Sequence, residues 1–164
     1  MAEYIYTVST VKYGTPTGSN TMPASGDMTA LPNTVKGSVT LDETEGTTAE
    51  FEVDQQISPV MSTRTAEGKF SSVMQFYDMS FENIAALKGG TGNASGYTPA
   101  TGYTNILKAL EIMTVSGHKF EFYNAAVAAR ITGGLARDKM IVLEVKAIPL
   151  MSTDLAGSYY ISKY

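Results

Sequence analysis

Apolar and polar residues alternate with a period of two over several separate stretches of this chain, the period is ambiguous at 105–115, and at 80–88 it turns helical. Residues 3–13 (EYIYTVSTVKY) are dense in Tyr, Val, Ile and Thr and predict a first strand. Residues 35–41 predict a second, and an acidic turn of Asp42, Glu43, Glu45 and Gly46 leads into a third. In that third strand Ala49, Phe51 and Val53 share one face, while Glu50, Glu52 and Asp54 share the other. Side chains two apart on a strand point the same way, so these three carboxylates form a row about 6.5 Å apart. The alternation expects Ala49, Phe51 and Val53 to be buried and the carboxylates exposed.

Pro59, which lacks an N–H, marks a strand edge or end. Residues 63–69 (TRTAEGK) then read as a polar turn, and 70–78 (FSSVMQFYD) as a strand with Phe70, Met74 and Phe76 available to one face. At 80–88 (SFENIAALK) the spacing of Phe81, Ile84 and Leu87 predicts a helix, with Ser80 or Asp78 as N-cap and Gly89-Gly90 as the stop. A helix this short is marginal alone, so Ile84 and Leu87 must pack on the sheet. Residues 105–115 and 119–124 predict a hairpin around Ser116-Gly117-His118. Residues 125–132 continue or follow its second strand until Gly133-Gly134 breaks it, and 139–150 form the last strong strand.

These elements predict a mainly β protein: an antiparallel β-sandwich or barrel of six to seven strands with one short flanking α-helix. The whole of 1–164 reads as a single domain, with 1–34 an N-terminal strand and long loop or arm and 151–164 a C-terminal tail. Residues 14–32 and 91–104 are Gly- and Thr-rich loops. A loop as long as 14–32 is commonly functional, disordered or ordered by a partner: either it is a mobile N-terminal arm, or its apolar Met22, Met28 and Leu31 are buried against a neighbouring subunit.

Composition narrows the classes of function. The net charge of −4 leaves no basic footprint for tight nucleic-acid binding. Cysteine is absent, which excludes disulfides, thiolate metal sites and cysteine nucleophiles. The first residues carry neither a basic region nor a continuous apolar one, so no secretory signal is expected and synthesis is expected in the cytoplasm. No apolar run approaches the roughly 18 residues of a membrane span.

Candidate chemistry is sparse. His118 is the only histidine and is expected on the surface of a turn, so histidine-cluster zinc sites and cysteine–histidine dyads are unavailable. No G-x-S-x-G elbow accompanies it. Gly89-Gly90-Thr91-Gly92 follows a helix and lacks the Gly-Lys-Ser/Thr ending of a phosphate loop. Asn93-Ala94-Ser95 matches a glycosylation sequon, which carries little meaning without a secretory signal. The carboxylates at 42–54 lack the spacing of a calcium loop, and a strand row does not make the paired carboxylates of glycoside cleavage. They read either as a solvated strand face or as a functional acidic surface. No catalytic, cofactor or metal residue is assigned.

One stretch carries a resemblance. The run Val39-Thr40-Leu41, Glu43, Glu45, Thr47-Thr48, Glu50-Phe51, Val53, Gln56 and Ser58-Pro59-Val60 resembles the corresponding segment of tail tube proteins (major tail proteins) of phages and prophages. So does the order that follows: a strand, a short helix closing on Gly89-Gly90, a Gly-centred hairpin, and a strand ending Ala147-Ile148-Pro149-Leu150. The resemblance covers about 35–150 and extends to tubes of contractile injection and type VI secretion systems. It implies a virion structural subunit, not an enzyme, that forms hexameric rings stacked into a tube for passage of duplex DNA. Tape measure and tail terminator proteins would be its partners. On that reading Glu50, Glu52 and Asp54 are expected to face the lumen, where carboxylates would keep the duplex from adhering. Met22, Met28, Leu31, Tyr97 and Tyr103 would make contacts between subunits. The alternative is a surface β-sandwich, a carbohydrate-binding or adhesin module, that stacks sugars on Tyr97 and Tyr103.

Overall fold

The computed structural model describes residues 4–18, 21–51, 61–66, 68–77, 80–102, 105–150 and 158–164. The fold is mainly β. Seven strands form the main path: β1 (Val8–Gly14), β2 (Thr29–Leu31), β3 (Thr40–Glu43), β6 (Phe70–Phe76), β9 (Ile106–Thr114), β10 (His118–Ala136) and β11 (Lys139–Pro149). They lie in the order β2-β1-β9-β10-β11-β6-β3, and an eighth, β12 (Tyr160–Lys163), pairs with β10. All of these pairings are antiparallel. Two small hairpins stand outside this sheet: β4 (Thr47–Phe51) with β5 (Met61–Ala66), and β7 (Thr91–Asn93) with β8 (Gly96–Thr98). The strands therefore exceed the expected six or seven, and the sheet does not close into a barrel.

β10 organises the sheet. Its first half carries β9 on one edge and β12 on the other, and its second half carries β11. Between Phe122 and Ala125 the register with β9 skips, so Tyr123 and Asn124 stand against the single residue Ala109. Such a bulge adds one residue and switches which face the side chains meet. Inward residues are His118, Phe120 and Phe122 before it, and Ala125 and Val127 after it, all buried. The Gly133-Gly134 pair does not break the strand: β10 runs through it to Ala136, with a second register skip. Gly133 has a φ of 117° there, and a Cβ would meet the Met140 carbonyl oxygen, so glycine is what lets the strand continue.

The core is one cluster built from the inner faces of the sheet and one side of the helix. Val11, Met74, Phe76, Leu87, Leu110, Ile112, Phe122, Leu143 and Val145 are fully buried in it. The helix α1 (Phe81–Lys88) is N-capped by Ser80, whose Oγ accepts from the Asn83 N–H at 3.4 Å, and ends at Gly89. Ile84 and Leu87 face the core as their spacing requires, and Tyr13 donates to Asn83 Oδ1 at 2.7 Å, tying the helix to β1. Elsewhere, Ile5 and Val8 line a cleft of about 300 Å³ together with Val39 and Leu41.

Three expected boundaries change. The first strand begins at Val8, not at residue 3. A turn at Lys36 and Gly37, closed by Ser38, whose Oγ donates to the Val35 carbonyl at 2.7 Å, delays the next strand to Thr40. The segment read as a polar turn at 63–69 is mostly β5, because backbone pairing to β4 needs no apolar side chains.

Candidate functional site

The acidic stretch belongs to a long hairpin that splits. β3 pairs with β6 from Thr40↔Val73 to Glu43↔Phe70, inside the main sheet. Beyond that pair Thr44 and Lys69 join their backbones, N–H to carbonyl at 3.0 Å, and the Lys69 N–H binds Thr44 Oγ1 at 2.9 Å. The same two chains then continue as β4 and β5, from Thr47↔Ala66 to Phe51↔Met61, in a sheet of their own. At the split a Cβ on Gly68 would run into the Thr44 carbonyl oxygen, so only glycine allows the backbones this close. The outer half of the hairpin is thus an arm held at its root.

Leaving the sheet changes the burial that alternation predicts. Phe51 is 54% exposed and Ala49 only half-buried, because β4 and β5 form a two-stranded sheet of their own, outside the main sheet. The expectation of burial fails for Phe51. Directly opposed antiparallel residues share a face. Phe51 and Met61 therefore form an apolar pair on one side of the arm, each 54% exposed, and Glu50 stands opposite Ser62 on the other. Glu50 is exposed, while Glu52, Val53 and Asp54 lie outside the described residues. Asp42, Glu43 and Glu45 are exposed around the root.

The other residues singled out by sequence scatter. Leu31 is buried at 2% exposure against the domain's own core, since β2 pairs Leu31 with Val11 of β1. Met22 and Met28 are half-buried. Tyr97 donates its hydroxyl to the Gly89 carbonyl at 2.8 Å and lies under Lys88, whose Nζ is 5.8 Å from the ring centre. That commits one of the two tyrosines a sugar platform would use, and Tyr103 lies outside the described residues. Asn93 Oδ1 accepts the N–H groups of Ser95 and Gly96, closing the turn between β7 and β8. His118 is buried, not displayed: its Nδ1 lies 3.2 Å from Ser116 Oγ, and its backbone pairs with Thr114 Oγ1. Among the described residues no cluster of three metal-ligating side chains occurs.

Sequence reading missed the opposite end of the sheet. The β10–β11 hairpin carries Leu135, 87% exposed, and Met140, 63% exposed, beside a turn of Arg137 and Asp138 that leads into Lys139. Its signal was two apolar residues flanking a charged turn, hidden by the assumption that Gly133-Gly134 ends the strand. Nearer the core, Arg130, Glu144 and Gln75 stand in register across β10, β11 and β6. Arg130 Nε donates to Glu144 Oε1 at 2.6 Å and Gln75 Nε2 to Oε2 at 2.9 Å. These hydrogen bonds, Arg130's foremost, hold the Glu144 carboxyl below its ordinary range. They rim an open depression of about 460 Å³ floored by Val73 and Ala128.

On β9 and β10, Glu111 and Glu121 oppose each other across the outer face, a repulsive pairing. Lys12 answers Glu111 at 3.4 Å and Lys119 answers Glu121 at 2.7 Å. The hydrogen bond to Glu121 raises the Lys119 ammonium above its ordinary value, and burial raises the Tyr123 hydroxyl. Each of these two lysines pairs with one of the two carboxylates, which offsets their repulsion across the face. No protein-family model matches this chain, and no curated protein matches it significantly in sequence.

Proposed function

We propose that this protein is a structural subunit of a phage or prophage tail tube, assembling with copies of itself into stacked rings around a bore that passes DNA. The observation that carries the reading is the placement of exposed apolar side chains. Phe51, Met61, Leu135 and Met140 sit on hairpins that reach beyond the core, where a solitary domain gains nothing from them. Scattered apolar surface residues are ordinary, but apolar pairs on projecting hairpins fit burial against other subunits. The resemblance over 35–150 and the antiparallel sheet with one short helix support the same reading.

The acidic face of β4 would line the bore. Glu50 occupies it, and in sequence Glu52 and Asp54 continue its alternation. Duplex DNA carries about one charge per 1.7 Å, and a carboxylate wall repels it over a screening length of roughly 8–10 Å. Electron microscopy of the concentrated protein tests the proposal: rings or tubes with an axial bore are expected. A strict monomer that binds glycans on an array would replace it with the carbohydrate-binding alternative.

A further inference from the structure

We infer that Tyr4–Thr7 form a hinged strap, which lies closed against an apolar cleft beside the core and opens about Thr7, Val8 and Ser9. The inference concerns the single chain and goes beyond the tube reading, on which it does not depend.

The hinge is visible in the backbone. Thr7 has a φ of 52°. That left-handed region is a genuine outlier for a β-branched residue, whose Cβ crowds the following carbonyl oxygen. Such strain persists only where the surrounding structure holds it, and it gathers at segments that switch. Immediately afterwards the register of β1 with β9 skips. Val8 pairs with Thr114 and Thr10 with Met113, which leaves Ser9 with no residue opposite. A left-handed residue followed by a bulge thus separates the strap from the regular part of β1.

Little holds the strap closed. Among the described residues two hydrogen bonds reach it, both from the turn between β9 and β10. The Val115 N–H donates to the Thr7 carbonyl at 2.8 Å, and the Tyr6 N–H donates to Ser116 Oγ at 3.3 Å. That hydroxyl is shared, since it also lies 2.9 Å from Thr114 Oγ1 and 3.2 Å from His118 Nδ1. Tyr4, Ile5 and Tyr6 are all exposed. Few bonds and little buried apolar surface mark a segment that opens at low free energy.

The cleft gives the closed state its reason. Ile5, Thr7 and Val8 line it together with Val39, Leu41, Ile112 and Phe120, and no charged side chain takes part. Ile112 and Phe120 belong to the core cluster. Opening the strap wets this apolar surface, so burial favours closure, while the strain at Thr7 favours opening. The two effects oppose each other within one short segment, which leaves it poised.

The Val115 amide reports the motion, because its bond to Thr7 exists only while the strap is closed. The Gly117 N–H, bonded to the Thr114 carbonyl, reports fraying of the turn itself. Amide hydrogen exchange followed by NMR should show Val115 at least about tenfold faster than Ile112. Asparagine tolerates the left-handed region, so Thr7→Asn should slow Val115 about tenfold and leave Gly117 unchanged. Thr7→Val keeps the branch at Cβ and with it the strain, and should give no slowing. Thr7 is exposed, so neither substitution disturbs the core. A parent in which Val115 exchanges no faster than Ile112 overturns the strap without recourse to any variant. So does a Val115 rate that Thr7→Asn leaves unchanged, or that Thr7→Val slows equally.

Discussion

Glu144 shows how a single residue holds the outer face of the sheet. Its two carboxylate oxygens accept from different strands, Arg130 on β10 and Gln75 on β6, so one side chain on β11 staples three strands in register. A carboxyl held below its ordinary value of 4.5 favours the native state above that value and ceases to do so as pH falls through the lowered one. Glu144→Gln should therefore melt below the parent at pH 7, by no more than about 3 °C because the network is solvent-facing. The gap should shrink steadily as pH drops below 4.5, in melts followed by circular dichroism. A gap independent of pH would remove the charge from the explanation. Alternation along 139–150 located Glu144 opposite the buried Leu143 and Val145, but nothing in one sequence names its cross-strand partners.

At the scale of elements, the hairpin that splits at Thr44 is the most informative. Gly68→Ala places a methyl against the Thr44 carbonyl and should cost about 1–3 kcal/mol in chemical denaturation, the usual range for forced overpacking. Gly26→Ala, with nothing near its added Cβ, should be close to neutral and serves as the control. Equal effects would show that close backbone approach does not hold the split. What could be read beforehand follows the same logic. Strands with one face in the core, such as β6 and β11, declared themselves by period, β9 by the Gly117 turn that follows it, and the helix by its Ser80 cap and Gly89 stop. The β4–β5 arm misled, since alternation reports that a strand has two faces and not that a layer covers either. β5 has little alternation, and β12 is a short edge piece defined by its pairing with β10.

For the whole molecule, β10 is the axis on which the parts converge. It takes β9, β11 and β12 as direct neighbours and, through its bulge at Tyr123 and Asn124, turns the sheet around the core. The candidate surfaces occupy the margins of that body: an acidic, apolar-faced arm at one end and a basic, apolar tip at the other. Their placement is legible only in the folded chain, because the two sets of residues are about eighty apart in sequence and no periodic pattern relates them.

The split at Thr44 has a kinetic consequence. The arm is joined to the body by two backbone segments, and none of its described residues belongs to the core cluster, so it can melt without disturbing the sheet. Local openings of this kind have free energies near zero, whereas core strands open only with global unfolding. Amide hydrogen exchange in the dissociated chain should show Thr48–Phe51 amides trading deuterium at least ~100-fold faster than those of Leu110, Ile112 and Val145. Uniformly slow exchange would mean the arm and body unfold as one unit. A separately labile arm would leave the sheet able to fold first, with the β4–β5 ladder zipping afterwards from its root at Thr44 and Lys69.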